Sequence, residues 1–171
     1  MSEPRWKPNV TVAAIVERDG RYLVVEEHTP EGLRLNNPAG HLDPGESPLQ
    51  AVVREALEET GRVFEPSHLV GVYLSRARRG GEDITYLRFA FTGGVGEPLA
   101  GRALDDGIVR SLWLSLDELR ASADRHRSPL LLACVLDHAA GRRFALDVVQ
   151  VHASVLAASS PGATPPDADP G

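Results

Sequence analysis

Three glutamates lie close together near the middle of the chain, at Glu55, Glu58 and Glu59. In an α-helix, residues three and four apart are neighbours, and like charges at that spacing repel by roughly 0.2–0.5 kcal/mol per pair. The glutamates would also lie in the last turns of such a helix, where the helix dipole favours positive charge. A divalent cation removes both penalties, and Mg²⁺ takes oxygen ligands and commonly binds substrate phosphates as well. The spacing therefore predicts a cation site.

The glutamates belong to a segment that has the start and stop signals of a helix. Ser47 and Pro48 provide an N-cap and a first-turn proline, and Gly61 stands where a C-terminal glycine belongs. These signals predict a helix from about residue 48 to 60. At about 100° per residue, the apolar side chains form one stripe and the glutamates occupy a neighbouring arc. Glu59 falls at the edge of the stripe, so we expect burial to raise the pKa of its carboxyl unless a cation compensates.

The other elements are predicted from apolar runs and turn residues. Predicted strands cover residues 9–17, 22–25, 69–75, 84–91, 109–114 and 144–151. The first two strands would form a hairpin, and the polar residues 27–37 would form a loop. A second long helix would open at Ser128 and Pro129 and close at Gly141. Strands outnumber helices without strict alternation, which favours an α+β or layered mixed-sheet domain.

Length and composition limit the class of protein. The chain has 171 residues, of which 42% are hydrophobic and 25% are charged, as in ordinary globular proteins. We expect one domain over residues 1–156 and a disordered tail over residues 157–171, which are rich in Ala, Ser, Pro and Gly. No apolar run approaches the roughly 18 residues of a membrane-spanning helix. The single cysteine, Cys134, lies in an apolar run typical of a buried thiol. We therefore expect a cytoplasmic protein without a membrane partner.

The net charge of −6 argues against a nucleic-acid partner, because such binding depends on phosphate neutralisation. Acidity does not exclude a small phosphorylated substrate. Carboxylates repel a polyphosphate unless a metal lies between them, so the charge itself favours a metal-bridged complex. The sequence does not distinguish a monomer from a homodimer.

The segment from Gly40 to Gly61 resembles the Nudix box. That pattern is glycine, five residues, glutamate, seven residues, Arg-Glu, an aliphatic residue, any residue, Glu-Glu, any residue, glycine and an aliphatic residue. Chance rarely produces so many fixed residues at the required spacing. The one departure is Arg62, where an aliphatic residue is usual, and the next residue, Val63, is the candidate to take its packing role. The matching positions are Gly40, Glu46, Arg54, Glu55, Glu58, Glu59 and Gly61.

The likeness extends beyond the box to the NudJ-like phosphatase branch of this family, over roughly residues 7–150. The resemblance implies a Nudix-like α/β/α sandwich with a central mixed β-sheet. It also implies hydrolysis of small organic phosphoanhydrides, namely nucleoside tri- and diphosphates, thiamine pyrophosphate and hydroxymethylpyrimidine pyrophosphate. The segments that carry it are Lys7–Ala13, Asn37–Leu42, Leu87–Phe89 and Arg127–Leu130.

The resemblance implies that the glutamates act through a metal. Glu55, Glu58 and Glu59 would hold Mg²⁺, with Mn²⁺ as an alternative, and the carbonyl of Gly40 would be a further ligand. One of the three carboxylates would position or deprotonate the attacking water, and the residues do not distinguish which. The metal would polarise a phosphoryl oxygen and lower the pKa of bound water.

The other box residues are expected to stabilise the local structure of the site rather than to bind the metal. Asp43 to Glu46 has proline and glycine at the second and third positions of a type II turn. Glu46 is expected to pair with Arg54 and hold this turn against the helix, and Gly61 is expected to end the helix.

Residues outside the central glutamates are candidates for substrate binding, with alternatives open. His41 could meet phosphate or make a local hydrogen bond, and Asp106, next to Asp105, could join the metal or belong to an ordinary turn. The turn predicted at residues 76–79 could meet phosphates or be a solvated hairpin end. The candidates are Lys7, Arg34, His41, Arg88 and Asp106.

Two other functions are compatible with the fold. A dinucleotide polyphosphate or nucleotide-sugar hydrolase would carry a tyrosine or proline beyond the last box glycine, where this chain has Arg76 to Arg79. A non-catalytic nucleotide sensor would have lost box glutamates, and this chain keeps all of them. A magnesium-dependent hydrolase of small di- or triphosphates is therefore the preferred hypothesis.

Overall fold

A computed structural model describes residues 5–157, apart from the side chains of Arg79 and Ala157. Over these residues the chain forms eight strands and four α-helices. The elements are β1 (Asn9–Ile15), β2 (Glu17–Arg18), β3 (Arg21–Thr29), β4 (Gly32–Asn36), β5 (Ala39–His41), α1 (Pro48–Thr60), β6 (Phe64–Arg79), β7 (Glu82–Val95), β8 (Ile108–Ser115), α2 (Leu116–Ala121), α3 (Leu130–Ala139) and α4 (Ala153–Ala157).

The mixed sheet has the strand order β5-β1-β7-β6. β1 runs parallel to β7 and antiparallel to β5, with Val12 opposite Gly40. In the second sheet, β3 pairs with β2, β4 and β8. The short strand β5 is therefore the edge of the mixed sheet, and it brings Gly40 next to α1.

Two hydrophobic cores lie on opposite faces of β1. Val12 and Ala14 pack with Val52 of α1, in a core that also includes Phe64 and Phe91. The alternate residues Ala13 and Ile15 pack with residues of α2 and α3. Because side chains alternate along a strand, β1 separates the two helical layers. This arrangement is the predicted α+β sandwich with a central mixed sheet.

The helix that carries the glutamates has the predicted bounds. Ser47 accepts a hydrogen bond from the Gln50 amide, and the Gln50 side chain accepts one from the Ser47 amide. Gly61 ends the helix with φ of 68°, and its N–H donates to the carbonyl of Leu57 over 3.0 Å. The preceding turn has Gly45 at φ of 86°, as a type II turn requires.

The predicted hairpin of residues 9–17 and 22–25 is only partly correct. Of the residues predicted for the first strand and its turn, only Glu17 and Arg18, which form the short β2, pair with β3. β1 instead joins the mixed sheet, because both of its faces are apolar and each is covered by a helical layer.

The prediction of a loop over residues 27–37 was wrong. β3 continues to Thr29, and β4 returns from Gly32 to pair with it. Two acidic residues of β3 are neutralised by partners far along the chain: Glu26 binds Arg110 at 2.8 Å, and Glu27 binds Arg127. Arginines that are distant in sequence allow these carboxylates to lie within a buried strand.

The predictions for the later segments also need correction. Residues 76–79, predicted as part of an arginine-rich turn, belong to β6, and the turn itself lies at Gly80 and Gly81. The predicted last strand, 144–151, is a short 3-10 helix at Leu146–Val148, and Phe144 makes a single bridge to Leu69. A strand needs several consecutive residues paired with a neighbouring strand, and a single bridge does not provide this.

The end of the predicted domain is described only in part. Ala157, the first residue of the predicted disordered tail, is the last residue of α4, and the rest of that tail lies outside the described residues. Within residues 5–157, no helix is long and apolar enough to cross a membrane.

Candidate active site

The site forms where α1 lies against the edge strand β5. Glu55 packs so closely on Gly40 that a Cβ atom at that position would lie 2.1 Å from the carboxylate. Glu59, one turn further along, accepts a hydrogen bond from the Ala39 amide over 2.8 Å. Both glutamates are only 8% exposed. The helix therefore brings two carboxylates against the backbone of one strand.

Arg54 connects the helix to the turn that precedes it. Its Nε and Nη2 atoms donate to the two carboxylate oxygens of Glu46 at 3.1 and 2.7 Å. This bidentate pair confirms the predicted contact between Glu46 and Arg54. Nη1 of Arg54 also donates to Glu55 at 2.8 Å and to Glu58 at 3.0 Å. One guanidinium thus neutralises carboxylates on both the turn and the helix.

The carboxyl groups differ in their electrostatic surroundings. Burial raises the pKa of Glu59 to about 8, although the Ala39 amide favours its charged form. Burial also raises the pKa of Glu55, and its neighbours Glu58 and Asp105 act in the same direction. In contrast, the hydrogen bonds from Arg54 hold the pKa of Glu46 below its ordinary value. The surroundings therefore disfavour the charged forms of Glu55 and Glu59 in the absence of a cation, and they favour the charged form of Glu46 in the turn.

A loop supplies a further carboxylate near the end of the helix. The amide of Asp105 donates to the carbonyl of Glu58 over 3.0 Å, which holds this loop against α1. Of the predicted pair Asp105 and Asp106, Asp105 contributes to the raised pKa of Glu55. Both aspartates are exposed.

The chemistry of the donor set fits a hard cation. Glu55, Glu58, Glu59 and the backbone at Gly40 offer carboxylate and carbonyl oxygens, which Mg²⁺ and Mn²⁺ prefer. The close approach of Glu55 to Gly40 leaves no space for a side chain there. Within residues 5–157, no three acidic, histidine or cysteine side chains converge as a preformed metal cage. Instead, Arg54 occupies the position of the counter-charge between Glu55 and Glu58.

The other predicted substrate residues lie at different places. His41, at the end of β5, is exposed, and its ring centre is 6.4 Å from that of Tyr86. Arg88, on β7, is buried and lines a cavity next to β5. Lys7 precedes β1 on the surface, and Arg34 lies on β4 with its Nη1 directed to the Leu33 carbonyl. Only His41 and Arg88 therefore line the same cavity.

The departure at Arg62 has a structural explanation that differs from the prediction. Val63 does not replace the usual aliphatic residue, because it is 43% exposed. Arg62 itself is buried, donates to the Gly96 carbonyl at 2.8 Å and lies over the ring of Trp113. The aliphatic part of an arginine can fill an apolar site when its charged end finds polar partners.

One residue near the site was missed by sequence reasoning. Arg127 pairs with Glu27, and its charge lowers the pKa of Glu59 while Glu27 raises it. The contact joins positions 100 residues apart, so no local pattern could reveal it.

Comparison with known proteins identifies the family. The NUDIX domain family matches residues 6–134, which is more than half of the chain. The chain belongs to the Nudix family. The matched residues include Gly40 and the box glutamates Glu55, Glu58 and Glu59.

Relatives of known structure or name agree with this membership. The Nudix chain is 33% identical to phosphatase NudJ of Escherichia coli K12 over 144 residues, which cover 84% of this chain and 92% of the relative. A NUDIX hydrolase from Nitrosomonas europaea is 51% identical, with a TM-score of 0.80 over 85% of this chain and 98% of that chain. A MutT NUDIX hydrolase from Burkholderia pseudomallei is 25% identical, with a TM-score of 0.64 over 77% of this chain and 98% of that one.

These similarities confirm the predicted class of enzyme. The chain is a Nudix hydrolase that acts on phosphorus-containing anhydrides. Its similarity to phosphatase NudJ covers both the box and most of the surrounding domain.

Proposed function

We propose that this enzyme is a Mg²⁺-dependent pyrophosphohydrolase of small organic di- or triphosphates in the cytoplasm. Nucleoside tri- and diphosphates and thiamine pyrophosphate-like compounds are the proposed substrates. The similarity to phosphatase NudJ supports the general class. The buried free thiol of Cys134 fits a reducing compartment.

The observation that carries this proposal is the pair of buried carboxylates against β5. Glu55 and Glu59 are both 8% exposed, and burial raises the pKa of each. Buried carboxylates without full compensation are costly, and a cation offsets that cost. Glu55, Glu58, Glu59 and the Gly40 carbonyl would hold the ion.

Each part of the site has a distinct task in this proposal. When bound, Mg²⁺ would polarise the phosphoryl oxygens and favour ionisation of an attacking water. Arg54 holds Glu55 and Glu58 in place and anchors the turn through Glu46. The Ala39 amide fixes the carboxylate of Glu59 and favours its charged form, which is the form that binds a cation or accepts a proton.

The direct test is phosphate release from a panel of substrates. The panel contains nucleoside di- and triphosphates, thiamine pyrophosphate, a nucleotide sugar and a dinucleotide polyphosphate, each with Mg²⁺ or with EDTA. We expect Mg²⁺-dependent hydrolysis of the first three classes, with orthophosphate and pyrophosphate measured separately. Preference for the last two classes would contradict the proposed substrates, and no hydrolysis at all would favour a non-catalytic sensor.

Glu59→Gln tests the role of the box carboxylates. The substitution preserves shape but removes the negative charge, so we expect kcat to fall by about 10²–10⁴-fold, as for loss of a catalytic acid or base. Glu82→Gln, on the exposed hairpin, is the matched control because it changes the net charge equally. Near-normal kcat in the Glu59 variant, with an unchanged circular dichroism spectrum, would refute the role.

A further inference from the structure

A cavity of about 150 Å³ lies next to the box site, on the face of the mixed sheet that carries α3. It shares Ala39, Gly40 and His41 with the neighbourhood of the glutamates. Ser128 and Pro129, which precede α3, and Leu130, its first residue, form another wall. A cavity of this size holds a molecule the size of a benzene ring, so it has room for a phosphate group.

Several of the residues that line this cavity carry buried polar atoms without a hydrogen-bond partner. Nine buried side-chain polar atoms in the described part of the chain have no hydrogen-bond partner, and five of them belong to residues that line the cavity. Buried polar groups are normally paired, so a cluster of unpaired ones indicates a site for a polar ligand. The five atoms are Thr11 Oγ1, Asn36 Oδ1, Ser128 Oγ, and Nε and Nη1 of Arg88.

The charge of the cavity is set by Arg88. Arg88 is only 8% exposed. It takes part in none of the ion pairs found within residues 5–157. Arg127 also lines the cavity, but its charge is matched by Glu27. Burying a guanidinium is costly, and burial lowers the pKa of Arg88, with Cys134 and Glu59 offsetting only part of this effect. An anion is the ligand that would remove this cost.

The available donors match a phosphate group. The guanidinium of Arg88 offers a planar fork of N–H donors, which suits phosphate oxygens. The hydroxyls of Thr11 and Ser128 can each donate one further hydrogen bond. We propose that the cavity binds a phosphate group of the substrate, distinct from the phosphoryl group at the box glutamates, and that Arg88 is its principal anchor. The identity of the ligand as substrate rests on the proposed function, whereas anion binding by the cavity does not.

Binding of inorganic phosphate tests the cavity without catalysis. Isothermal titration in EDTA, with chloride at equal ionic strength as the blank, measures Kd for the wild type and for Arg88→Met. We expect the variant to bind at least about tenfold more weakly, because a charge-assisted hydrogen bond is lost. Arg62→Met is the matched control, since Arg62 is also 8% exposed but does not line the cavity. Equal binding by wild type and Arg88→Met, or equal loss in both variants, would overturn the proposal, as would an absence of phosphate binding by the wild type.

Kinetics then separate this inference from the proposed function. With the best substrate of the panel, Arg88→Met should raise KM by about tenfold or more, with kcat within a few-fold of wild type, and Arg88→Lys should recover part of the loss. Unchanged KM in a folded, active Arg88→Met variant would overturn the inference and leave the proposed function intact. Phosphate binding that needs Arg88 in a protein without hydrolytic activity would support the cavity and refute the proposed function.

A second substitution covers a folding defect in Arg88→Met. Thr11→Val removes one unpaired hydroxyl while nearly preserving side-chain shape. We expect weaker phosphate binding and a higher KM in this variant, without loss of thermal stability. Wild-type values for both quantities would count against the cavity as a phosphate site.

Discussion

Gly40 lies where a side chain and the Glu55 carboxylate would compete for the same space. In Gly40→Ala the added Cβ would lie 2.1 Å from that carboxylate, so Glu55 must move. The end of a glutamate side chain moves easily, so we expect little change in the free energy of unfolding but a loss of at least about tenfold in kcat/KM. Steady-state kinetics and urea unfolding measure the two effects.

Gly94→Ala is the control for this substitution. Gly94 lies on β7, and a Cβ atom added to it would meet no other atom within 4 Å, so alanine fits there. Equal activity losses in the two variants, or full activity in Gly40→Ala, would show that activity does not depend on the space that Gly40 leaves for the Glu55 carboxylate.

Glu59 gives the metal-free protein a characteristic pH dependence. Burial raises its pKa to about 8 from the ordinary 4.5, so between these values the folded chain keeps a proton that the unfolded chain has released. The free energy of unfolding should therefore decrease as pH rises through this window, by at most about 1.4 kcal/mol per pH unit from this group. Urea unfolding in EDTA, compared between wild type and Glu59→Gln, isolates this contribution. A difference between the two proteins that does not vary with pH would contradict the assignment.

At the scale of elements, α1 depends on the turn at its C-terminal end. Gly61 has φ of 68°, a conformation that costs a residue with a Cβ roughly 1–2 kcal/mol. We expect Gly61→Ala to lower the free energy of unfolding by about that amount. Gly61→Asn should lower it less, because asparagine tolerates the left-handed region better. Equal effects of alanine and asparagine in urea unfolding would mean that backbone conformation is not the cause.

The same element shows how far sequence reasoning reaches. The bounds of α1 could be predicted because Ser47, Pro48 and Gly61 act on their immediate neighbours. The burial of Glu59 could be predicted too, since it follows from helical periodicity. The site is therefore largely readable from one segment of the chain.

The strands were harder to predict because their partners are distant. β1, for example, pairs with the distant strand β7, where Val12 lies opposite Phe89. β4 is an exception, because it pairs with the adjacent β3 and its alternating Leu33 and Leu35 are typical of a strand. Glu27 within β3 is neutralised by Arg127, at a separation of 100 residues. The cavity around Arg88 likewise joins five separate parts of the chain, so its unpaired atoms became visible only in the folded structure.

At the scale of the whole molecule, metal binding and proton release should be linked. A ligand that binds only the folded state stabilises it by about 2.7 kcal/mol at a hundredfold excess over Kd. Glu59 must lose its proton to bind Mg²⁺. We therefore expect Mg²⁺ to raise Tm more at a pH near the raised pKa of Glu59, about 8, than at a pH near its ordinary value of 4.5. Differential scanning calorimetry at both ends measures this difference.

Two comparisons make that measurement specific. Sodium chloride at equal ionic strength accounts for general screening of the net charge of −6. Glu55→Gln combined with Glu59→Gln should abolish the rise in Tm. A rise that persists in the double variant would locate the bound ion elsewhere.

Arg54 also bears on the state of the protein in the absence of the proposed Mg²⁺ ion. Because this side chain already bridges Glu55 and Glu58, mutual repulsion of those carboxylates does not force the helix apart. Newly synthesised chains can thus reach their native shape before any cofactor arrives. Chelation should consequently be a reversible form of inactivation, in which activity returns on adding the ion without a refolding step.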